Sequence, residues 1–337
     1  MDVQVVDGHR LSIQQEITFY NRSDVPLDSI YLLNWANAYK DRKTPLAKRL
    51  IEDYNRKFYF SKKSDRGYSK VNSLLCDGQR VYFGEVEDKQ DLIWIQLKEP
   101  LEPGASVNLK MNYEVKVPSD RFTQYGHDGV NYNLRYWYIT PAVFNGQWNL
   151  YSNLNMDDYF MEPTDYDIQF DVPMGFTLHS NLRAQAEILD NQVRYTMKEQ
   201  NQLEVEVNIQ YQNDFSTYQL RELEVQTNLK SKNLTENLKG DVLQRQIDFI
   251  ESYLGDFPYE KILVNRTTYL KNPVYGFNQL PKSMNPFSDI FEWDIKMFKA
   301  MSERFIDNTI LVNDRTEYWL PDGIQIYLMM EYVSRYY

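Results

Sequence analysis

The chain has 337 residues, with 48 Asp and Glu against 37 Lys and Arg, for a formal net charge of −11. That length exceeds the size at which a single core usually stops growing, so two domains are expected. The acidic balance, with no basic run standing out as a face, argues against a protein that grips a nucleic-acid backbone.

Cys76 is the only cysteine, which excludes an internal disulfide or a thiolate metal cluster within one chain. It lies in the apolar stretch NSLLCDGQRVYF and reads as a buried structural thiol. No stretch is apolar and long enough for a signal peptide or a membrane span. Met1 is either a true start or a start placed after a removed leader. The compartment stays open between cytoplasmic and exported or periplasmic.

Period-two alternation dominates the early chain, the pattern of strands with one buried face. It begins with Leu11, Ile13, Ile17 and Phe19. The segment TPLAKRLIEDYNRKFYF then predicts a short amphipathic helix, with Thr44 as N-cap, Pro45 at the first helical position and Leu46, Leu50 and Ile51 on one face. Val81 and Phe83 resume the strand pattern. It is clearest in SVNLKMNYEVKVP, where Val107, Leu109, Met111, Tyr113, Val115 and Val117 share a side and Pro118 ends the run.

Residues 125–162 are aromatic without clean periodicity, and Trp137, Tyr138, Trp148, Tyr151, Tyr159 and Phe160 either line a binding surface or cover the open end of a sheet. Alternation returns at Tyr166/Ile168/Phe170/Val172, Val193/Tyr195/Met197 and Leu203 to Tyr211. Turn signals at 77–79, 102–106, 172–175 and 190–192 separate these runs. Residues 1–220 thus read as a mainly β domain, a large antiparallel assembly of sandwich or saddle type.

The periodicity then changes. ELEVQTNL reads as a strand and KSKNLTENLKG as a polar connection. In GDVLQRQIDFIESYLGDFPYEK the residues Val242, Leu243, Ile247, Ile250 and Leu254 fall at helical spacing before Gly255, a good stop. KILVNRTTYL reads as a strand. Two more helices follow, one with Ile295, Phe298, Met301 and Phe305 on a stripe, the other with Ile324, Tyr327, Leu328 and Tyr332. The last has no visible stop and is expected to be completed by further chain. Residues 221–337 are therefore expected to form an incomplete α+β domain.

Four local segments in this part resemble the M1 family of zinc aminopeptidases, whose catalytic domain is related to thermolysin. LGDFPYEKILV resembles the entry to that family's catalytic sheet, and YGFNQLP, at 275–281, lies where its GAMEN strand falls. KAMSERFIDN, at 299–308, stands in the place of HELAHQWFGN, and WLPDGIQIYL, at 319–328, resembles WLNEGFATYL. The last two share a register, because 18 residues separate Glu303 from Asp322, as in the family's HExxH-x18-E metal motif. YWYITPAVFNGQW and the start of the chain are also similar to the family's β-saddle domain. The resemblance implies a saddle followed by the front part of a thermolysin-like, gluzincin-type domain.

By that resemblance Lys299 stands at the first histidine ligand, Ala300 at the general base, Glu303 at the second histidine and Asp322 at the third ligand. An ammonium repels a cation, and a methyl group takes no proton from water. The chain's histidines, His9, His127 and His179, all lie outside this domain. No zinc and no other cofactor is therefore expected. In the groove, Gly276, Phe277, Asn278 and Gln279 would line the peptide-binding strand, with Gln279 in place of the glutamate that holds the substrate's amine. The family's transition-state tyrosine would lie beyond Tyr337.

Lys299 and Glu303 are four apart on a predicted helix. With Asp322 facing them, the expectation is an internal cation, the Lys299 ammonium, paired by two carboxylates where the metal would be. The bland alternative is a solvated surface pair. Asp307, Asp314 and Asp322 match no cation-loop spacing, and Asn21, Asn233 and Asn265 sit in N-x-S/T triplets. The resulting functional expectation is a non-catalytic M1 homologue, a pseudoenzyme binding a peptide or protein in a degenerate groove. The alternatives are a zinc metallopeptidase whose site is completed beyond residue 337, and a structural assembly module.

Overall fold

A computed structural model describes residues 1–231, 233–277 and 284–337. The chain divides into two compact units, Met1–Asn213 and Asp214–Tyr337.

Among the described residues the first unit holds three sheets. The largest has eight strands, in the order Ala184–Ile188, Gln192–Gln202, Thr164–Pro173, Asp2–Val6, Arg10–Tyr20, Ser106–Lys116, Tyr68–Cys76 and Gln79–Arg80. Neighbours are antiparallel except Asp2–Val6 and Thr164–Pro173, which run parallel. The alternation in Ser106–Lys116 is realised: Leu109, Met111, Tyr113 and Val115 are all buried, facing a continuous core. Two four-stranded sheets complete the unit, one around Leu27–Leu33 and Lys89–Leu101, the other around Val207–Gln210.

Within that core the Tyr113 hydroxyl donates to Gln15 Oε1 at 2.5 Å and accepts from the Ile139 amide at 3.2 Å, while Gln15 Nε2 donates to the Ile139 carbonyl at 2.8 Å. The three groups satisfy one another, which is the condition for burying them. In the aromatic region 125–162, Trp137 and Tyr138 are core residues, whereas Trp148, Tyr151, Tyr159 and Phe160 are half-buried. Cys76 is half-buried rather than buried, and burial followed by the Asp77 charge raises its thiol. A raised thiol is a poor nucleophile.

Helix α1 is Pro45–Glu52, shorter than the segment that suggested it. Thr44 caps it, accepting from the Ala47 amide at 3.3 Å. Leu46 and Leu50 turn inward as expected, but Ile51 is exposed.

Gly126 and His127 cross residues 118–120 closely. Gly126 has φ +139, and a Cβ there would stand 2.2 Å from the Pro118 carbonyl oxygen, so only glycine fits. The crossing stacks His127 on His9, with ring centroids 3.6 Å apart and planes 7° from parallel. His9 Nδ1 shares a 3.0 Å hydrogen bond with the Tyr132 hydroxyl. His127 Nδ1 is buried with no hydrogen-bond partner among the described residues.

The second unit is built on a three-stranded sheet, Ser216–Leu220, Leu223–Thr227 and Lys261–Val264, the last pair parallel. Ser216–Leu220 belongs to this sheet, so the unit begins a few residues before the point where the sequence periodicity changes. Helix α2, Glu236–Leu254, starts inside the stretch expected to be a polar connection, because Thr235 caps it by accepting from the Leu238 amide. Gly255, at φ +83, ends it. The expected strand KILVNRTTYL stops at Val264. There Asn265 accepts from the Thr268 amide at 2.9 Å and opens helix α3, Arg266–Lys271.

Helices α4 (Asp289–Thr309), α5 (Asp314–Glu317) and α6 (Trp319–Tyr336) follow. Ile295, Phe298, Met301 and Phe305 of α4 are buried together with Leu328 and Tyr332 of α6. Tyr327, expected on the same stripe, is exposed. Asp294 lies at the centre of this packing and is fully buried. Its carboxylate accepts from Arg245 and Gln246 of α2, from Tyr332 of α6 at 2.9 Å and from Tyr337 at 2.6 Å.

Two stability predictions follow from these contacts. Asp294→Ala strands Arg245 and the buried Tyr332 hydroxyl, so it is expected to cost about 3 kcal/mol in urea unfolding. A change under about 0.5 kcal/mol would show that the network does not hold the unit.

The histidine pair predicts an acid-side loss. Burial and then the His9 ring hold His127 at about 4, against an ordinary 6.5, and burial and Lys116 lower His9. Both rings are neutral in the fold while the unfolded chain takes up protons, so their contribution is full above about pH 6.5 and disappears as pH falls toward 4. Discounted for partial exposure it is on the order of 1 kcal/mol. His127→Asn should flatten the unfolding midpoint over that window, and a profile parallel to wild type would rule the pair out as its source.

Candidate functional site

The candidate positions lie on α4 and α6, which pack side by side. Ser288 caps α4, accepting from the Phe291 amide at 3.3 Å, and Asp289 and Glu292 in its first turn complement the helix dipole.

Lys299, one turn after Asp294 on this helix, is buried. Its ammonium donates to Gln325 Oε1 of α6 at 2.9 Å, and Gln325 Nε2 donates back to the Lys299 carbonyl at 3.0 Å. The same carbonyl accepts from Ser302 Oγ at 3.0 Å. One amide thus serves both the charged head and the backbone of Lys299.

The paired-carboxylate arrangement expected from the spacing is not what the chain adopts. Among the described residues the ammonium's hydrogen bond goes to the Gln325 amide, and Glu303 and Asp322 act on Lys299 through charge at longer range. Burial lowers the ammonium below its ordinary value, and the fields of Glu303 and then Asp322 oppose that shift without cancelling it. The physical reason lies on α6. Asp322 is in its first turn on the exposed side, and Gln325, three residues on, is the residue buried against α4.

Ala300 is fully buried, its methyl group part of the core of this unit. Asp307, Asp314 and Asp322 do not assemble. Among the described residues no three His, Cys, Asp or Glu side chains come together in a way that would hold a metal ion.

Of the groove positions, Gly276 has φ +98, a conformation that favours glycine. Phe277 is buried, its ring 4.9 Å from Phe287 and 5.8 Å from Phe291. It is an anchor for the start of α4 rather than an open wall. Asn278 and Gln279 lie outside the described residues. Gln325 is the residue that sequence reasoning missed. Its only signal was a polar side chain one turn after Asp322 between two isoleucines.

No protein-family model and no curated protein sequence matches this chain. Its structure is similar to that of an M1 zinc metallopeptidase from Deinococcus radiodurans. The TM-score is 0.58 at 12% identity, over 99% of this chain and 68% of that one. A mutant of a two-domain M1 zinc metallopeptidase bound to L-tryptophan matches with a TM-score of 0.57 at 13% identity, over 99% of this chain and 69% of that one. The mutant from the same organism bound to the substrate Tyr-Ser-Ala gives 0.58 at 13%, with the same coverage. The chain therefore has an M1-metallopeptidase-like fold.

The lysine-amide pairing predicts how substitutions at Lys299 divide. Lys299→Met keeps the volume and removes the buried charge, and is expected to change stability by less than about 1 kcal/mol or to raise it. Lys299→Ala, which like Lys299→Met leaves Gln325 Oε1 without its donor, also opens a cavity and is expected to cost about 2–3 kcal/mol. Equal losses in the two variants, measured by urea unfolding, would point instead to an ammonium required by the carboxylates.

Proposed function

We propose that this chain is a non-catalytic relative of the M1 metallopeptidases, a saddle-like domain joined to part of a thermolysin-like domain whose groove binds a peptide or protein. The observation that carries the reading is the state of Lys299 and Ala300. At the position that the sequence resemblance gives to the first zinc ligand the chain has a buried ammonium engaged by Gln325. At the position of the general base it has a methyl group in the core.

The residues at these positions do not fit a zinc ion. An ammonium cannot donate an electron pair while protonated, and deprotonating it would still leave an amine tied to an amide rather than the histidine pair that tetrahedral zinc sites of this class use. Residues 214–337 contain no histidine. Loss of the base is independent of loss of the metal, since water would still need a group to take its proton. A fold shared with a peptidase does not carry the activity over.

Peptide binding is supported by what the similar structures are bound to, free amino acids and Tyr-Ser-Ala, and by the sequence resemblance that puts Gln279, which lies outside the described residues, in place of the family's amine-binding glutamate. A neutral amide there still accepts a hydrogen bond from a peptide amine, without the charge complement of a carboxylate.

The test has two arms on the purified chain, tag removed and exposed to zinc. Elemental analysis is expected to find a zinc-to-protein ratio near zero, with no hydrolysis of Tyr-Ser-Ala. Calorimetry is expected to detect peptide binding that Gln279→Ala weakens about fivefold, the equivalent of one lost hydrogen bond. Tightly held equimolar zinc with turnover would restore the peptidase reading. Absence of both zinc and peptide binding would leave a structural assembly module.

A further inference from the structure

Residues 40–66 carry ten Lys and Arg against four Asp and Glu, in a chain whose net charge is −11. The acidic total masks this local reversal, and Lys40, Arg42, Lys43, Lys48, Arg56, Lys57, Lys62 and Lys63 are exposed, whereas Arg66 is buried against Ser61. Among the described residues Lys48, Arg56, Lys57, Lys62 and Lys63 make no ion pair, and three of the carboxylates in or beside the segment are held by other cations. Asp53 is held by Arg49 at 3.0 Å, Asp65 by Arg121 and Glu85 by Lys40.

Between these cations stand exposed apolar side chains: Ile51 on the outer face of α1, Tyr54 at 87% exposure, Tyr59, and Phe60 at 72%. They are presented rigidly. Phe58, between them, is buried in a small core with Leu46, Leu50 and Phe122, and Ser61 Oγ closes the turn onto the Phe58 carbonyl at 2.6 Å.

The backbone at Tyr54 is an independent sign. Helix α1 ends with the Asn55 amide donating to the Leu50 carbonyl at 2.7 Å and the Tyr54 amide to the Ile51 carbonyl at 2.9 Å. That double closure normally places glycine at the left-handed position. Tyr54 occupies it at φ +59. Tyr54 is one of ten non-glycine residues at positive φ among the described residues, and with its ring 87% exposed it does nothing for the fold that glycine would not do better.

We propose that this surface docks on an anionic phospholipid bilayer, with Tyr54 and Phe60 entering the headgroup layer and the surrounding cations meeting lipid phosphates. Basic side chains interleaved with exposed aromatic and aliphatic ones are the composition of interfacial binding segments. The set is mainly lysine, a point charge for phosphate rather than the planar fork that reads bases, and Ile51 offers a base nothing to stack on. Both favour a lipid surface over a nucleic acid.

The test is sedimentation of the full chain with vesicles of about equal phosphatidylglycerol and phosphatidylcholine, against phosphatidylcholine alone and an oligothymidylate. Binding is expected only to the anionic vesicles and is lost at about 1 M salt, where the Debye length is ~3 Å. The triple variant K57E/K62E/K63E is expected to bind at least tenfold more weakly. Tyr54→Gly should weaken binding severalfold while raising Tm by about 2–4 °C, because it relieves the backbone. Opposite signs separate docking from a structural role. No binding to anionic vesicles, binding unaffected by the triple charge reversal or by Tyr54→Gly, or binding to the oligonucleotide alone would each overturn the proposal.

Discussion

The second unit depends on one buried carboxylate. Asp294 sits in the second turn of α4 with no exposure, and a charge there is tolerable only because four donors converge on it. Those donors come from α2, from α6 and from the residue that follows α6, so satisfying one charge fixes the lateral positions of three helices. Phe298 stacks on Tyr332 with ring centroids 4.0 Å apart, and Phe249 meets the same ring edge-on at 5.2 Å. The hydrophobic packing supplies most of the attraction, and the directional bonds choose a single arrangement of it.

Lys299 obeys the same constraint one turn further along α4, with the opposite charge and a cheaper solution. Once the helices are set by Asp294, the side chain of α6 that faces Lys299 is Gln325, and a neutral amide satisfies the ammonium without a second buried charge. Glu303 and Asp322 bias it electrostatically. Lys299 and Gln325 thus form a closed hydrogen-bonded pair built from the packing of two helices.

The first unit buries polar groups of both kinds, a neutral ring formed by Tyr113, Gln15 and Ile139 and the carboxyl of Asp91, which accepts from Ser152 Oγ and the Asn153 amide, and its sheets bring most of the apolar surface into one core. The helix α1 region stands on a small core of its own. That separation lets its outer side carry cations and aromatics at little cost to the main sheets, because nothing in the large core relies on the identity of Tyr54 or Phe60.

Period two and period 3.6 are local properties. The strand Ser106–Lys116, the stripe on α4 and the stop at Gly255 were all legible in the chain as written, and so was a β-rich part followed by a helical one. Caps at Thr235 and Asn265 were visible as residue types, but a cap competes with the neighbouring pattern, and the pattern alone pointed to a connection and a longer strand. The partners of Asp294 lie as far as 49 residues away in sequence for Arg245 and 43 for Tyr337, and Lys299 finds Gln325 across 26. No local rule connects such residues. The sequence by itself determined the strongly periodic strands and helices and which chemical groups are present at 299, 300, 303 and 322. Only the tertiary structure decided which of those groups meet, because burial makes each polar atom take the partner that helix packing brings within reach.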